Sequence, residues 1–597
     1  MRSDTLGDTG ELRFVNFEHA AEHMARPVGL ANASGGSSLP IRPREVNLSG
    51  QYLIIWGCRL RDAEELFHAP RFGCPQIEAI NIWGKAMESR TIRYGVTAFT
   101  ALLLAFGGST CSQAGPAHDP GVRNDGIDGA GGPFPGLSGP LENLFDAGQE
   151  EFKKTDKVGD DGLGPRMNLD RCVGCHAQPA IGGSSPGDNP QFAFFNGPAP
   201  AGGNQVNHTT NKLPPFITGH GPVREARFKQ NSENGGPDGG VHDLFTIAGM
   251  TGAENCKLKQ PDFEGELRHN NVIFRIPTPV FGGGLIEQIP DTAIIDNIDK
   301  EADQKKALGI QRHLNIVISA NTRTALPNKN GNDGTIARFG WKAQNKSLLI
   351  FSGEAYNVEM GISNELFQTE REEDPNCQFK ATPNDTTNPS KNGLDILSDI
   401  EKFAAFMRLL APPEASTSAP GGAVSIVRGK TLFSEVGCAL CHAPMLKTGN
   451  STIPQLREKE VHLFSDLALH HMGAKLDDGI TQGQAERDEF RTAPLWGLGK
   501  RIFFLHDGRT FDLVEAIEEH HSRSTISFRC RLLSFFSLPC GPDDGSIASE
   551  ANDVVDQYNR LAETEKQHLL NFRCCWQSGA CERCRHLNCF CASPFLT

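Results

Sequence analysis

Two C-x-x-C-H pentads constrain this chain more than any other feature: Cys172-Val173-Gly174-Cys175-His176 and Cys438-Ala439-Leu440-Cys441-His442. With 17 Cys and 19 His among 597 residues, one such pentad arises by chance on the order of once in sixty chains of this make-up, and two far more rarely. The spacing has a chemical reason. Two thiols three positions apart reach the vinyl carbons on one edge of a porphyrin, and the histidine that follows faces the iron. Imidazole suits that place because it is directional, borderline-soft and neutral at physiological pH. Zinc is the alternative occupant. A structural zinc site takes four ligands, commonly from paired C-x-x-C units, and neither pentad has a second pair nearby. The expected cofactors are therefore two covalently bound haem c groups, with Cys172, Cys175, Cys438 and Cys441 as thioether anchors and His176 and His442 as iron ligands.

Enclosing two porphyrins needs a long chain, and 597 residues exceed one compact domain, while 64 Gly and 37 Pro indicate helices joined by long ordered loops. The expected fold is mainly α: two cytochrome c-like haem domains with long loops and a short β-containing intervening region. A net charge of −14 without a basic, aromatic-interleaved stripe excludes nucleic acid as the natural partner.

The one membrane-like stretch lies inside the chain, where Arg90 and Arg93 precede an apolar run from Val96 to Phe106. It reads as a signal peptide over 87–114, because the run is short for a bilayer and Ser112, Gln113 and Ala114 resemble a cleavage site. An export signal works from an N-terminus, so Met87 is the expected start and residues 1–86 an upstream extension. Two alternatives stand: Cys111 as a lipid-bearing cysteine, and a buried apolar helix. Export agrees with the cofactor, since bacteria attach haem covalently outside the cytoplasm. The periplasm is the expected location, with no membrane span after cleavage. There Cys256 and Cys377 are able to pair, although sequence does not determine their connectivity.

A flexible leader is expected over 115–140, then an N-terminal haem domain over 141–411, a linker over 412–423 marked by Pro412-Pro413, and a C-terminal cytochrome c domain over 424–572. Apolar periodicity predicts helices at Leu141 to Thr155, Leu394 to Leu410 and Val424 to Val436. A closing helix at Asp553 to Phe572 should pack across Val424 to Val436. Asn271 to Ile276 is β-prone, and the Gly282-Gly283-Gly284 run after it is suited to close approach to a cofactor. The Cys-rich tail, 573–597, reads as a translation of the wrong frame, with zinc binding as the alternative. The apolar run Arg529 to Cys540 has a similarly foreign character.

Several segments then match a known pattern: Arg171 to Gly183, Phe274-Arg275-Ile276-Pro277-Thr278-Pro279, Gly284-Leu285-Ile286-Glu287, Phe351 to Phe367, Phe490 to Trp496, and Phe504-Leu505-His506-Asp507-Gly508-Arg509. Across residues 140–572 the chain resembles the bacterial di-haem oxidoreductases, a peroxidase-like and thiol oxidoreductase-like family related to di-haem cytochrome c peroxidases and MauG. The resemblance implies that one haem passes electrons while the other meets peroxide, so the irons differ in their distal ligands. It places the distal ligand of the C-terminal haem at His520, where relatives carry Met or Tyr. Met472 is the rival, and His242 and Met360 are candidates near the first haem.

Peroxide cleavage needs a base for the first proton and a donor for the leaving oxygen, which makes Glu287 and then Glu354 the candidate carboxylates. Trp341 is the expected aromatic bridge between haems, with Trp496 behind it. Arg275 and Arg491 are the expected propionate anchors, because a guanidinium grips a carboxylate at two points. Together these readings predict an exported di-haem c-type oxidoreductase reducing hydrogen peroxide, fed by a small redox protein or a quinol-linked donor. An electron carrier without its own substrate chemistry, or an oxidase of an organic or thiol substrate, are the alternatives.

Overall fold

The computed structural model describes residues 115–122, 129–198, 203–311, 313–316, 336–370, 374–414, 420–523 and 548–574, all within one compact unit, Ala114–Thr597. The upstream extension, the signal segment with Cys111, the Arg529 to Cys540 run and the tail from residue 575 lie outside the described residues.

The described chain is mostly helical, with a few small antiparallel sheets. In order come α1 (Pro140–Lys153), β1 (Arg166–Met167), α2 (Cys172–Cys175), α3 (Pro190–Asn196), β2 (Glu225–Phe228), β3 (Phe245–Thr246), α4 (Phe263–Arg268) and β4 (Val272–Arg275). Then follow α5 (Gly283–Glu287), α6 (Asp291–Asp299), α7 (Ala302–Ala307), α8 (Leu348–Met360), α9 (Asp399–Leu409), α10 (Gly422–Glu435), β5 (Leu446–Lys447) and β6 (Glu460–Val461). The last are β7 (Leu469–His471), β8 (Glu489–Arg491), α11 (Leu513–Glu519), α12 (Asn552–Asn559) and α13 (Glu563–Cys574). The sheets are two-stranded pairs, β1 with β3, β2 with β4, β5 with β6, and β7 with β8. The β-prone run appears as β4, and the three helices predicted from periodicity appear as α1, α9 and α10.

Local chemistry explains the main helices. In α1, Pro140 stands where no N–H is needed, Glu142 and Lys153 complement the helix dipole, and Phe145 and Phe152 face inward seven residues apart. Helix α9 opens on a capping box between Ser398 and Glu401, then buries Phe403, Phe406 and Met407. Helix α8 starts on the Ser347 side chain and stops at Gly361, which takes a left-handed conformation at φ 72°. The rings of Phe145, Phe152, Phe403 and Phe406 interlock α1 with α9.

The glycines before Glu287 serve helix packing. A Cβ on Gly284 would lie 2.0 Å from the Arg408 carbonyl oxygen, so α5 rests directly on the backbone of α9. The closing helix also differs from expectation: it is broken at Arg560 to Ala562 into α12 and α13. The crossing itself occurs as expected, between α10 and α13. There Gly429 is pressed so closely that an added Cβ would sit 2.1 Å from the His568 carbonyl and 2.5 Å from Phe572 Cβ. Gly429→Ala should therefore destabilise the protein by about 1–3 kcal/mol, the range for forcing bulk into a packed contact. Thermal unfolding of the holoprotein measures it.

Two cores result. One gathers Leu432, Phe433, Phe464, Leu513, Tyr558 and Leu569 around the α10–α13 crossing. The larger takes α1, α8 and α9, and also Leu446, Leu456, Val461, Leu463 and Trp496 from beyond Pro412-Pro413.

Candidate functional site

The first pentad winds into one helical turn, α2, and ends at His176. Its Nδ1 lies 3.0 Å from the Gly183 carbonyl oxygen, which accepts only from an N–H. Nδ1 therefore carries the proton, and Nε2 keeps a lone pair for a metal. Burial drops this imidazole to about 4, so it is neutral at physiological pH. Burial also pushes the Cys172 and Cys175 thiols up, which keeps both protonated.

The second pentad repeats this arrangement. His442 Nδ1 lies 3.1 Å from the Phe464 carbonyl oxygen. Phe464 presents that oxygen from a left-handed backbone at φ 54°, a conformation costing about 1–3 kcal/mol in a non-glycine residue. Beside it opens a mostly apolar cavity, lined by Cys438, Cys441, His442, Met472, His520 and Tyr558 among others.

Both distal candidates for the C-terminal haem reach this cavity. His520 caps α11, engages the Ala516 carbonyl through Nδ1 at 2.6 Å and lines the cavity. Met472 enters from the residue after β7. His470 also lines the wall, yet both its nitrogens are taken, by Asp466 at 3.0 Å and Glu550 at 2.7 Å. With both nitrogens engaged by carboxylates, His470 has no lone pair to offer iron.

A smaller cavity of about 540 Å³ adjoins the first pentad's side through Thr278, Val280 and Phe281. Val280 N–H donates to the Gly182 carbonyl at 2.8 Å, just past His176. Trp341, Arg491 and Arg501 line both cavities. Trp341 is fixed by its indole N–H, which donates to the Ile276 carbonyl at 2.9 Å. Trp496 lines the smaller cavity.

The two guanidiniums are the most telling groups. Arg491 donates to the carbonyls of Gly340 at 3.0 Å and Thr492 at 3.5 Å, and Arg501 donates to that of Pro494 at 2.9 Å. Neither has a carboxylate partner among the described residues, and burial lowers both to about 10. Two buried, adjacent cations of this kind call for anions, and porphyrin propionates are anions of the right class. Arg501 was missed in the sequence, where nothing distinguishes it from a surface arginine. Arg275, expected beside Arg491, instead pairs with buried Asp478 at 2.7 Å, which already neutralises it.

Other expectations are corrected. Glu287 is wholly buried and accepts two bonds from Arg408, at 2.6 and 3.1 Å, and one from the Leu348 N–H at 2.9 Å. It is an anchor between α5 and α9 rather than a free base. Glu354 is bonded to Asn345, and neither carboxylate lines a cavity. His242 stacks on Phe228 at 3.7 Å and pairs with Asp238 at 3.1 Å, outside both cavities. Met360 is 3% exposed in the larger core, as packing.

Among the carboxyls that the structure brings to the first pentad, Asp156 and Asp170 included, Glu359 acts most strongly on Cys175. Burial and the neighbouring Glu225 push Glu359 well above the usual carboxylate range, and after burial it is the largest influence raising Cys175. It accepts from Asn168 Nδ2 at 2.9 Å, and Asn168 in turn reaches Asp243 at 3.1 Å. Glu225 is held below its usual range, against burial, by Arg227 and Arg275. A protonated acid thus faces an ionised one. In the sequence Glu359 stood beside Met360 in Glu359-Met360-Gly361, where the thioether drew the attention.

Residues 237–532 match the family model described as "Di-haem oxidoreductase, putative peroxidase". The chain belongs to this di-haem oxidoreductase family. The match takes in the second pentad, Trp341, Glu359, Arg491 and Arg501, and begins after the first pentad. Haem is thus the cofactor class of this di-haem oxidoreductase, and oxidation–reduction its chemistry. No curated protein matches the chain. A solved structure titled "Kuenenia stuttgartiensis Hydrazine Synthase Pressurized with 20 bar Xenon" is similar at 15% identity and TM-score 0.19. That likeness covers 30% of this chain and 55% of the other, and supports no inference. Among the described residues no helix is long and apolar enough to cross a membrane.

Proposed function

We propose that this di-haem oxidoreductase is exported, binds two haem c groups in two cytochrome c-like domains, 141–411 and 424–572, and reduces hydrogen peroxide. One observation carries the reading: Trp341, Arg491 and Arg501 line two cavities, one walled by the second pentad and the other by Thr278 and Val280, which pack against the first, and the histidine of each pentad holds its Nδ1 proton on a backbone carbonyl.

Bound there, iron porphyrin supplies the redox chemistry, one group storing and passing electrons and the other meeting peroxide. The chain's own residues do the rest. His176 and His442 offer Nε2 to iron, oriented by the Gly183 and Phe464 carbonyls. Arg491 and Arg501, which line both cavities, would pair haem propionates. Trp341, rigid on the Ile276 carbonyl, lines both cavities and would contact the groups held there. Glu359 lines neither cavity, but it holds a proton beside ionised Glu225 and next to Cys175, so the pair would act as a proton relay behind the first pentad rather than as a base facing peroxide.

Export is supported by Cys256 and Cys377, which form a disulfide of the sort that persists outside the cytoplasm. A net charge of −14 favours a small basic redox protein as donor, with a quinol-linked donor as the alternative class.

Holoprotein reduced by a small c-type cytochrome should consume peroxide, and its reduced form should bind carbon monoxide at one iron. Absence of both would leave an electron carrier. His520→Ala should convert the C-terminal haem from low to high spin in the absorption and EPR spectra. An unchanged low-spin signal would assign that ligand position to Met472.

A further inference from the structure

Strand β7 carries two different chemistries on its two faces. His470 and Met472 point to the larger cavity, so His471, between them, projects from the opposite face. There it meets Glu489 of β8 and Asp488 just before that strand, His471 and Glu489 being direct partners across the pair. His471 Nδ1 lies 3.0 Å from Asp488 and its Nε2 lies 3.5 Å from Glu489. His313, from a separate segment, is bonded to the same Glu489 carboxylate. Ligand atoms of His471, Glu486 and Asp488 all lie within 4.8 Å of one another.

The charges do not balance. Three carboxylates converge, those of Glu489 and Asp488 only 0% and 6% exposed. Among the described residues no Lys or Arg side chain pairs with any of them, and two imidazoles are their only cationic candidates. Buried anionic charge without a fixed cation is the environment that metal ions occupy. Glu486 is exposed, and its carboxylate makes no hydrogen bond among the described residues, so it is able to swing onto an ion.

We propose that His471, Asp488 and Glu486, backed by Glu489 and His313, bind one divalent transition-metal ion of the manganese class. Mixed imidazole and carboxylate donors suit such an ion, whereas thiolates favour softer ones. The site is independent of the haem reading, and it lies behind the strand that carries Met472 to the cavity.

The test uses Mn²⁺ on chelator-treated holoprotein, because cysteines elsewhere in the chain would compete for zinc but hold manganese weakly. Room-temperature EPR counts free Mn²⁺. One bound ion per chain is expected. Glu486→Gln, at an exposed position that leaves folding intact, should weaken binding by about ten- to hundredfold, the effect of losing one supporting group. His471→Ala should abolish it, with an unchanged haem spectrum confirming the fold. Saturating Mn²⁺ should raise the unfolding temperature of the wild type and not of His471→Ala. The proposal is overturned if no Mn²⁺ binds, or if Glu486→Gln binds it as tightly as the wild type.

Discussion

Glu359→Gln should lower peroxide turnover by about 10²–10⁴-fold, the usual worth of a positioned acid–base group, while leaving both haems attached. Gln has the size and hydrogen-bonding outline of a protonated carboxyl, and Glu359 is held protonated by burial and by Glu225. The bond with Asn168 survives in either case. A structural role alone would therefore leave turnover intact, and a chemical role would not. Stability against pH provides an independent check. Because the folded pKa of Glu359 is raised, the folded chain keeps a proton that the unfolded chain releases, so stability falls as pH climbs above the ordinary Glu range of about 4.3. The Gln variant lacks that slope. Its unfolding temperature relative to the wild type should rise between pH 5 and pH 8.

The second large effect belongs to the pentads. Replacing Cys438 and Cys441 by Ser should reduce acid-stable, covalently held haem from two per chain to about one, read by a pyridine haemochrome assay after acidified-butanone extraction. Peroxidase turnover should vanish with it, since the remaining haem has no internal electron source. The fold should suffer too, because the cavity beside the second pentad and the desolvated Arg491 and Arg501 would lose their filling and their counter-charge. Two haems per chain surviving the double substitution would refute the covalent assignment.

What could be read from the residues alone follows the range of the physics involved. The pentads are local: five adjacent positions specify the chemistry, and the structure gives both histidines the same carbonyl-bonded geometry. Helices α1, α9 and α10 were legible because apolar periodicity is also local. Trp341 was placed between the haem units by its position in the chain, and it lines both cavities. The carboxylates failed for the opposite reason. Glu287 is committed by Arg408, 121 positions away, and Glu359 is raised by Glu225, from a strand pair far earlier in the chain. Arg275 and Arg501 were illegible for the same reason, since only tertiary contact reveals that Asp478 satisfies the first and that no anionic group among the described residues pairs with the second. The break between α12 and α13 escaped because the apolar pattern continues through it.

The larger core has a practical corollary for anyone dissecting this protein. Leu446, Leu456, Val461, Leu463 and Trp496 are interleaved with side chains of α1, α8 and α9, on the other side of Pro412-Pro413. Severing the chain at that dipeptide would strip apolar surface from both fragments, so each half expressed alone should aggregate. Co-expressed halves, by contrast, should find one another and reassemble.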